Sequence, residues 1–106
     1  MKKVIRDGKV AVLVSRGFGA GWYSWHGIEE LLYDPVIVRI LENPDADEDG
    51  YTIEKYCEET YGDDEYYGGI DGLTVVWVTQ GKRFRIEEYD GAETLVLEEN
   101  MTWQTA

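Results

Sequence analysis

The side chains able to do chemistry fall in a few places along this 106-residue chain. Cys57 and His26 are each the sole member of their type, so a thiolate and imidazole would be the one Cys–His couple on offer. Cys57, however, occupies an apolar position of a helix-spaced pattern, where a thiol packs as a small hydrophobe and stays inert. Ser15 and Ser24 flank a glycine-rich stretch with no Gly-x-Ser-x-Gly elbow around either. The 22 carboxylates are too numerous for one pair to stand out as the acid and base of a hydrolase. The expectation is a protein that is not an enzyme and has no cofactor.

The glycine-rich stretch is the first binding candidate. Arg16, Gly17, Gly19, Gly21, Trp22, Tyr23, Trp25 and His26 lie between an apolar run and a helical region. A strand, glycine loop and helix in that order bring backbone N–H groups to face an anion, and glycines allow close approach of backbone to ligand. The rings add faces on which a base or sugar could stack. The spacing is not that of a dinucleotide fingerprint, there is no Gly-Lys-Ser/Thr ending, and Arg16 is the loop's only fixed cation. Two readings stand: a crossover whose glycines permit tight turns while the tryptophans pack, or a contact for a nucleotide-like small molecule. The second would need a basic pocket completed by Arg83 or Arg85 from the sheet.

The second candidate is acidic. Residues 42–71 hold 12 acids and one base, whereas the other 76 residues hold 10 acids and 9 bases. The net charge of -12 is therefore a local feature on a nearly neutral body. Within this segment Asp45, Asp47, Glu48, Asp49 and Gly50 follow the Asp-x-Asp-x-Asp-Gly start of a calcium loop. The twelfth position, which should carry a bidentate Glu, is Tyr56, so no metal ligand is assigned and a calcium-binding loop stands as the third reading of the chain's function. Glu58, Glu59, Asp63, Asp64 and Glu65 continue the charge, interleaved with Tyr66 and Tyr67. Such a surface steers a basic partner protein by its field and offers tyrosines for contact area, or it is an acidic surface that aids solubility. The acidity argues against nucleic acid and anionic membrane as partners.

One domain is expected over residues 1–106. No apolar run reaches the roughly 20 residues of a membrane span, and the charged start resembles no signal peptide. With one cysteine no internal disulfide is possible, and a cytoplasmic protein is expected. Asp7-Gly8 and Asp90-Gly91 predict two-residue hairpin turns. Val10 to Val14 and Leu73 to Val78 are apolar enough for central strands, and Gln80-Gly81 turns the latter back into a strand where Phe84 and Ile86 alternate with charges. Ile28, Leu31 and Leu32 suggest a short helix; Asp34-Pro35 supplies an N-cap and first helical residue for the next. Ile53, Tyr56, Cys57, Thr60 and Tyr61 form a full helical stripe ending at Gly62. The expected fold is α+β: a mainly antiparallel five-stranded sheet in ββ-ααα-βββ order, its last three strands a meander, with short helices packed on one face. Its edge strands carry charges that discourage pairing between subunits, and the oligomeric state is left open.

The run Val4 to Leu13 leading into Gly17-Phe18-Gly19-Ala20-Gly21-Trp22, with Asp34-Pro35, Val75-Val76-Trp77-Val78 and Phe84 to Gly91, resembles a family of small proteins encoded by tailed phages and prophages. The resemblance covers most of the chain outside residues 42–67. It brings no catalytic residue with it. It implies a small cytoplasmic protein made during infection of a bacterium, of a kind that often disables host defence by binding a defence protein or sequestering its nucleotide signal. Direct inhibition of a host protein through the acidic surface is the leading expectation.

Overall fold

The strand β2 (Lys9–Ser15) decides the architecture. Its residues Ala11, Val12, Leu13, Val14 and Ser15 are all fully buried. Alternate side chains of a strand point to opposite faces, so both faces need a covering layer. The computed structural model, which describes residues 1–17, 19–43, 51–62 and 67–98, supplies both. β2 is the middle strand of an antiparallel sheet between β1 (Ile5–Arg6) and β3 (Leu73–Thr79). On one face Ala11 and Leu13 pack with Leu31, Ile37, Val38, Ile53 and Cys57, the buried side of the helical layer. On the other, Val12, Val14 and Val78 meet Phe84, Ile86, Leu95 and Leu97 of a second sheet, β4 (Phe84–Tyr89) paired with β5 (Ala92–Leu97).

The chain is α+β with antiparallel strands, as its pattern predicts, but the described strands form two sheets and not one five-stranded sheet. The expected meander is also corrected. β3 pairs with β2 along all seven of its residues, and the Gln80-Gly81 turn carries the chain out of that sheet into the next layer. The physical reason lies in Val76 and Val78, which face away from the helices and need cover themselves. A hairpin stacked over them buries its own apolar face at the same time, which pairing at the sheet edge would not do. Both Asp-Gly turns form as predicted, with φ of 52° and 75° at Asp7 and Gly8 and 50° and 87° at Asp90 and Gly91.

The helical layer begins with a single turn, α1 (Tyr23–His26), and a 3-10 turn at Glu29–Leu32, followed by α2 (Pro35–Glu42) and α3 (Tyr51–Tyr61). Asp34 caps α2 as predicted: its Oδ1 accepts from the Val36 and Ile37 amides at 2.9 and 3.3 Å. Its other oxygen accepts from the Tyr56 and Tyr61 hydroxyls at 2.8 and 2.5 Å. One buried carboxylate thus caps one helix and pins the next. On α3, Ile53 and Cys57 are fully buried and Tyr56 and Tyr61 half-buried, while Thr60, expected on the same stripe, is exposed. A two-armed ion pair from Arg6 to Glu42 ties β1 to the end of α2 and holds the Glu42 carboxyl below its ordinary range.

This packing predicts alkaline instability. Desolvation, then the hydrogen bond to Asp34, pushes Tyr56 up to about 12 and Tyr61 further up; burial, then the Asp34 charge, pushes Cys57 up to about 12. In the unfolded chain such phenols titrate near 10 and the thiol near 8.5. The folded state therefore holds extra protons above those values, so its stability is whole below about pH 8 and falls as pH rises toward 12. Thermal midpoints measured from pH 7 to 11 should be flat at first and then decline, with two tyrosines forming tyrosinate only as the fold is lost. Full titration of every tyrosine at its ordinary pH without unfolding would contradict the Asp34 network.

Candidate functional site

The loop from Ser15 to Gly27 leaves β2 and enters the helical layer, and its amides do face an anion. That anion belongs to the chain. Glu93 on β5 is 2% exposed, and its Oε1 accepts from the Ser15 amide at 2.9 Å. Its Oε2 accepts from the Trp22 and Ser24 amides at 2.9 and 2.8 Å and from the Ser24 hydroxyl at 2.6 Å. Burying a carboxylate costs several kcal/mol, about what four charge-assisted bonds of about 1.5–3 kcal/mol each can offset. Beside it Glu88, the cross-strand partner of Glu93, accepts from Trp25 Nε1 at 3.0 Å and the Gly91 amide at 2.7 Å. These bonds, the indole's first, hold the Glu88 carboxyl below its ordinary range.

The glycines serve close approach of backbone to backbone. A Cβ on Gly91 would stand 2.8 Å from the Gly19 carbonyl carbon and closer to the Ala20 nitrogen, so the hairpin turn lies directly on the loop. The Gly19 amide donates to the Asp90 carbonyl at 2.8 Å across that contact. On the other side a Cβ on Gly69 would stand 2.8 Å from the Gly21 carbonyl oxygen, and the Arg16 amide donates to the Gly72 carbonyl at 2.9 Å. Ser15 Oγ donates to the Gly69 carbonyl at 2.8 Å. The loop is a junction clamped by two other parts of the chain.

This arrangement separates the residues expected to bind a ligand there. Trp22 is fully buried, with its indole N–H donated to the Leu31 carbonyl at 2.8 Å, and Gly21 is buried beside it, so neither is open to a ligand. His26 is half-buried, its ring 5.8 Å from that of Trp22 and 5.5 Å from that of Tyr67. Gly17 abuts Gly72. Arg16, Gly19 and Trp25 are exposed and Tyr23 is half-buried.

Of the acidic set, Glu58 and Glu59 are exposed on α3, whereas Asp45, Asp47, Glu48, Asp49, Asp63, Asp64, Glu65 and Tyr66 lie outside the described residues. Tyr67 corrects the expectation that it offers contact area. It is 3% exposed, and its hydroxyl donates to the Gly62 carbonyl at 2.6 Å. Cys57 is buried and its thiol is held protonated, which matches packing and not nucleophilic chemistry. Among the described residues no group of three or more His, Cys, Asp or Glu is placed to hold a metal ion.

Glu93 is the residue that sequence reasoning missed, although a signal was present. Glu93 shares a strand face with Leu95 and Leu97, which pack in the core between the sheets. A lone acid on an apolar strand face must find donors or stay out of the core. No helix among the described residues is long and apolar enough to cross a membrane. No family model, curated protein or solved structure matches this chain.

Substitutions at two residues, Glu93 and Gly91, measure the junction. In Glu93→Gln one amide N–H must face a loop N–H, and in Glu93→Ala the Ser15, Trp22 and Ser24 amides lose their acceptor; losses of about 2 and about 3–5 kcal/mol are expected by urea denaturation. A Gln variant within about 0.5 kcal/mol of the parent would mean the charge is not what holds the loop. Gly91→Ala should cost at least about 2 kcal/mol more than Gly8→Ala, because both glycines have positive φ but nothing stands within 4 Å of a Cβ at Gly8. Equal losses would remove the close contact from the account.

Proposed function

We propose that this chain is a non-enzymatic accessory protein of the tailed-phage kind that acts in the bacterial cytoplasm by binding and inhibiting a host protein through its acidic side. The observation that carries this reading is the disposition of α3. Its apolar residues Ile53 and Cys57 are turned wholly into the core, which leaves Glu58 and Glu59 on the outside between the two acid-rich stretches that flank the helix in sequence. A rigid element carrying carboxylates suits a basic groove on another protein, where fixed charge speeds encounter and excludes wrong partners. The alternative, a nucleotide-like ligand on the glycine loop, is disfavoured at that place because Glu93 already takes the loop's amides.

Charge reversal tests this reading. Glu58→Lys and Glu59→Lys place cations in the last turn of α3, where the helix dipole tolerates them, so the fold should survive. Combined with Asp63→Lys and Asp64→Lys, they should abolish capture of the partner that the parent protein retains from bacterial lysate. With that partner purified, the association rate should fall by about 10- to 100-fold and lose most of its salt dependence. Unchanged association by the fourfold variant would sink the proposal.

A further inference from the structure

β4 pairs only with β5 among the described residues, and its other side borders an open groove of about 470 Å³. The opposite wall is the segment from α1 through the 3-10 turn. The apolar lining comes from Tyr23, Leu32, Tyr33, Phe84 and Ile86. Tyr23 and Phe84 are half-buried, and each lines the groove. Lys82, Arg83 and Arg85 line the same groove, and among the described residues Glu29 is the one acid that does. Lys3 adds charge nearby, with Nζ 4.4 Å from the centre of the Tyr33 ring. On a chain of net charge -12, this gathers cations around aromatic surface.

The guanidinium groups have partners, but weak ones. Arg83 Nε lies 3.5 Å from Glu98, with the two side chains 83% and 55% exposed, and Arg85 pairs with Glu87 in a similarly exposed setting. Exposed pairs of this kind are worth about 0–1 kcal/mol, so a phosphate dianion, which guanidinium binds with two parallel N–H bonds, can displace them. The volume falls in the range of about 300–1,000 Å³ that small-molecule sites occupy, and aromatic walls with few placed polar groups are the usual lining.

We propose that this groove binds a nucleotide, with the base against Tyr23 and Phe84, the phosphate on Arg83 and Arg85, and the N–H edge of the base turned to Glu29. The site shares only Tyr23 with the glycine loop and does not depend on the acidic side. The cations select the phosphate, the rings select a planar base, and the carboxylate selects bases that present N–H donors.

The test is calorimetry together with amide chemical-shift mapping on the full chain, using adenosine and guanosine monophosphates, the free nucleosides and inorganic phosphate as probes. At least one monophosphate should bind with Kd below about 1 mM, shifting the amides of Tyr23 and of residues 82–86. Its nucleoside and inorganic phosphate should each bind at least about tenfold more weakly. The double variant Arg83→Gln, Arg85→Gln, at exposed positions that do not threaten the fold, should weaken the nucleotide by at least about tenfold. Arg16→Gln, on the exposed part of the glycine loop, should leave it unchanged. No saturable binding up to about 10 mM overturns the proposal. So does inorganic phosphate binding as tightly as the nucleotides, which would make the groove a bare anion patch. Binding indifferent to the double variant, or lost with Arg16→Gln, also overturns it.

Discussion

Glu93 carries a charge into a place from which water is excluded, and it stays because the glycine loop surrounds it with donors. Three layers meet at this point. Ser15 ends the central strand, Trp22 and Ser24 start the helical layer, and Glu93 itself belongs to the second sheet. One carboxylate therefore satisfies backbone groups that the loop could not pair internally, and in doing so fixes the hairpin over β2. If either side is removed, the other is left with buried, unpaired polar groups, so the contact is worth more intact than the sum of its bonds suggests.

Asp34 repeats the same device on the other face of the sheet. It satisfies the first amides of α2 and accepts both tyrosine hydroxyls of α3, so two helices of modest length are held by a shared acceptor as well as by apolar contact. Short helices are marginal by propensity alone and need such tertiary anchors. Asp34 and Glu93, the two buried acids among the described residues, are thus structural. Their removal should disturb folding more than that of Glu58 and Glu59, which are exposed on α3.

What was legible in the sequence was local. The Asp-Gly turns, the Asp34-Pro35 cap and the stripe from Ile53 to Tyr61 each depend on a few neighbouring residues, and the chain adopts what those residues prefer. The placement of β4 was not local. Whether it lies beside β3 or above it depends on what else covers Val76 and Val78, a question no short window answers. The two loop tryptophans show the same limit, since Trp22 and Trp25 stand three apart in one motif, yet one is fully buried and the other 53% exposed. Their fates are set by Leu31 and Glu88, which accept the two indole N–H groups from different parts of the chain. The groove was least legible, since Tyr23, Tyr33 and Phe84 line one groove only once the hairpin is folded back.

The layered arrangement also changes what the net charge means. α3 lies on the helical face of the central sheet, and β4 covers the opposite face. Layers packed about 10 Å on each side of a sheet put Glu58 and Glu59 well beyond the roughly 8 Å over which exposed charges act on one another at physiological ionic strength. The carboxylates of α3 therefore do little to neutralise Lys82, Arg83 and Arg85, whose near acids among the described residues include Glu29, Glu87 and Glu98. The hairpin nonetheless carries exposed acids of its own, Glu87, Glu88, Asp90 and Glu98, so an anion meets Lys82, Arg83 and Arg85 only at the groove end of β4. A chain with a formal charge of -12 can in this way keep a local cluster of cations apart from the acids of α3, because the strand between them is buried on both sides.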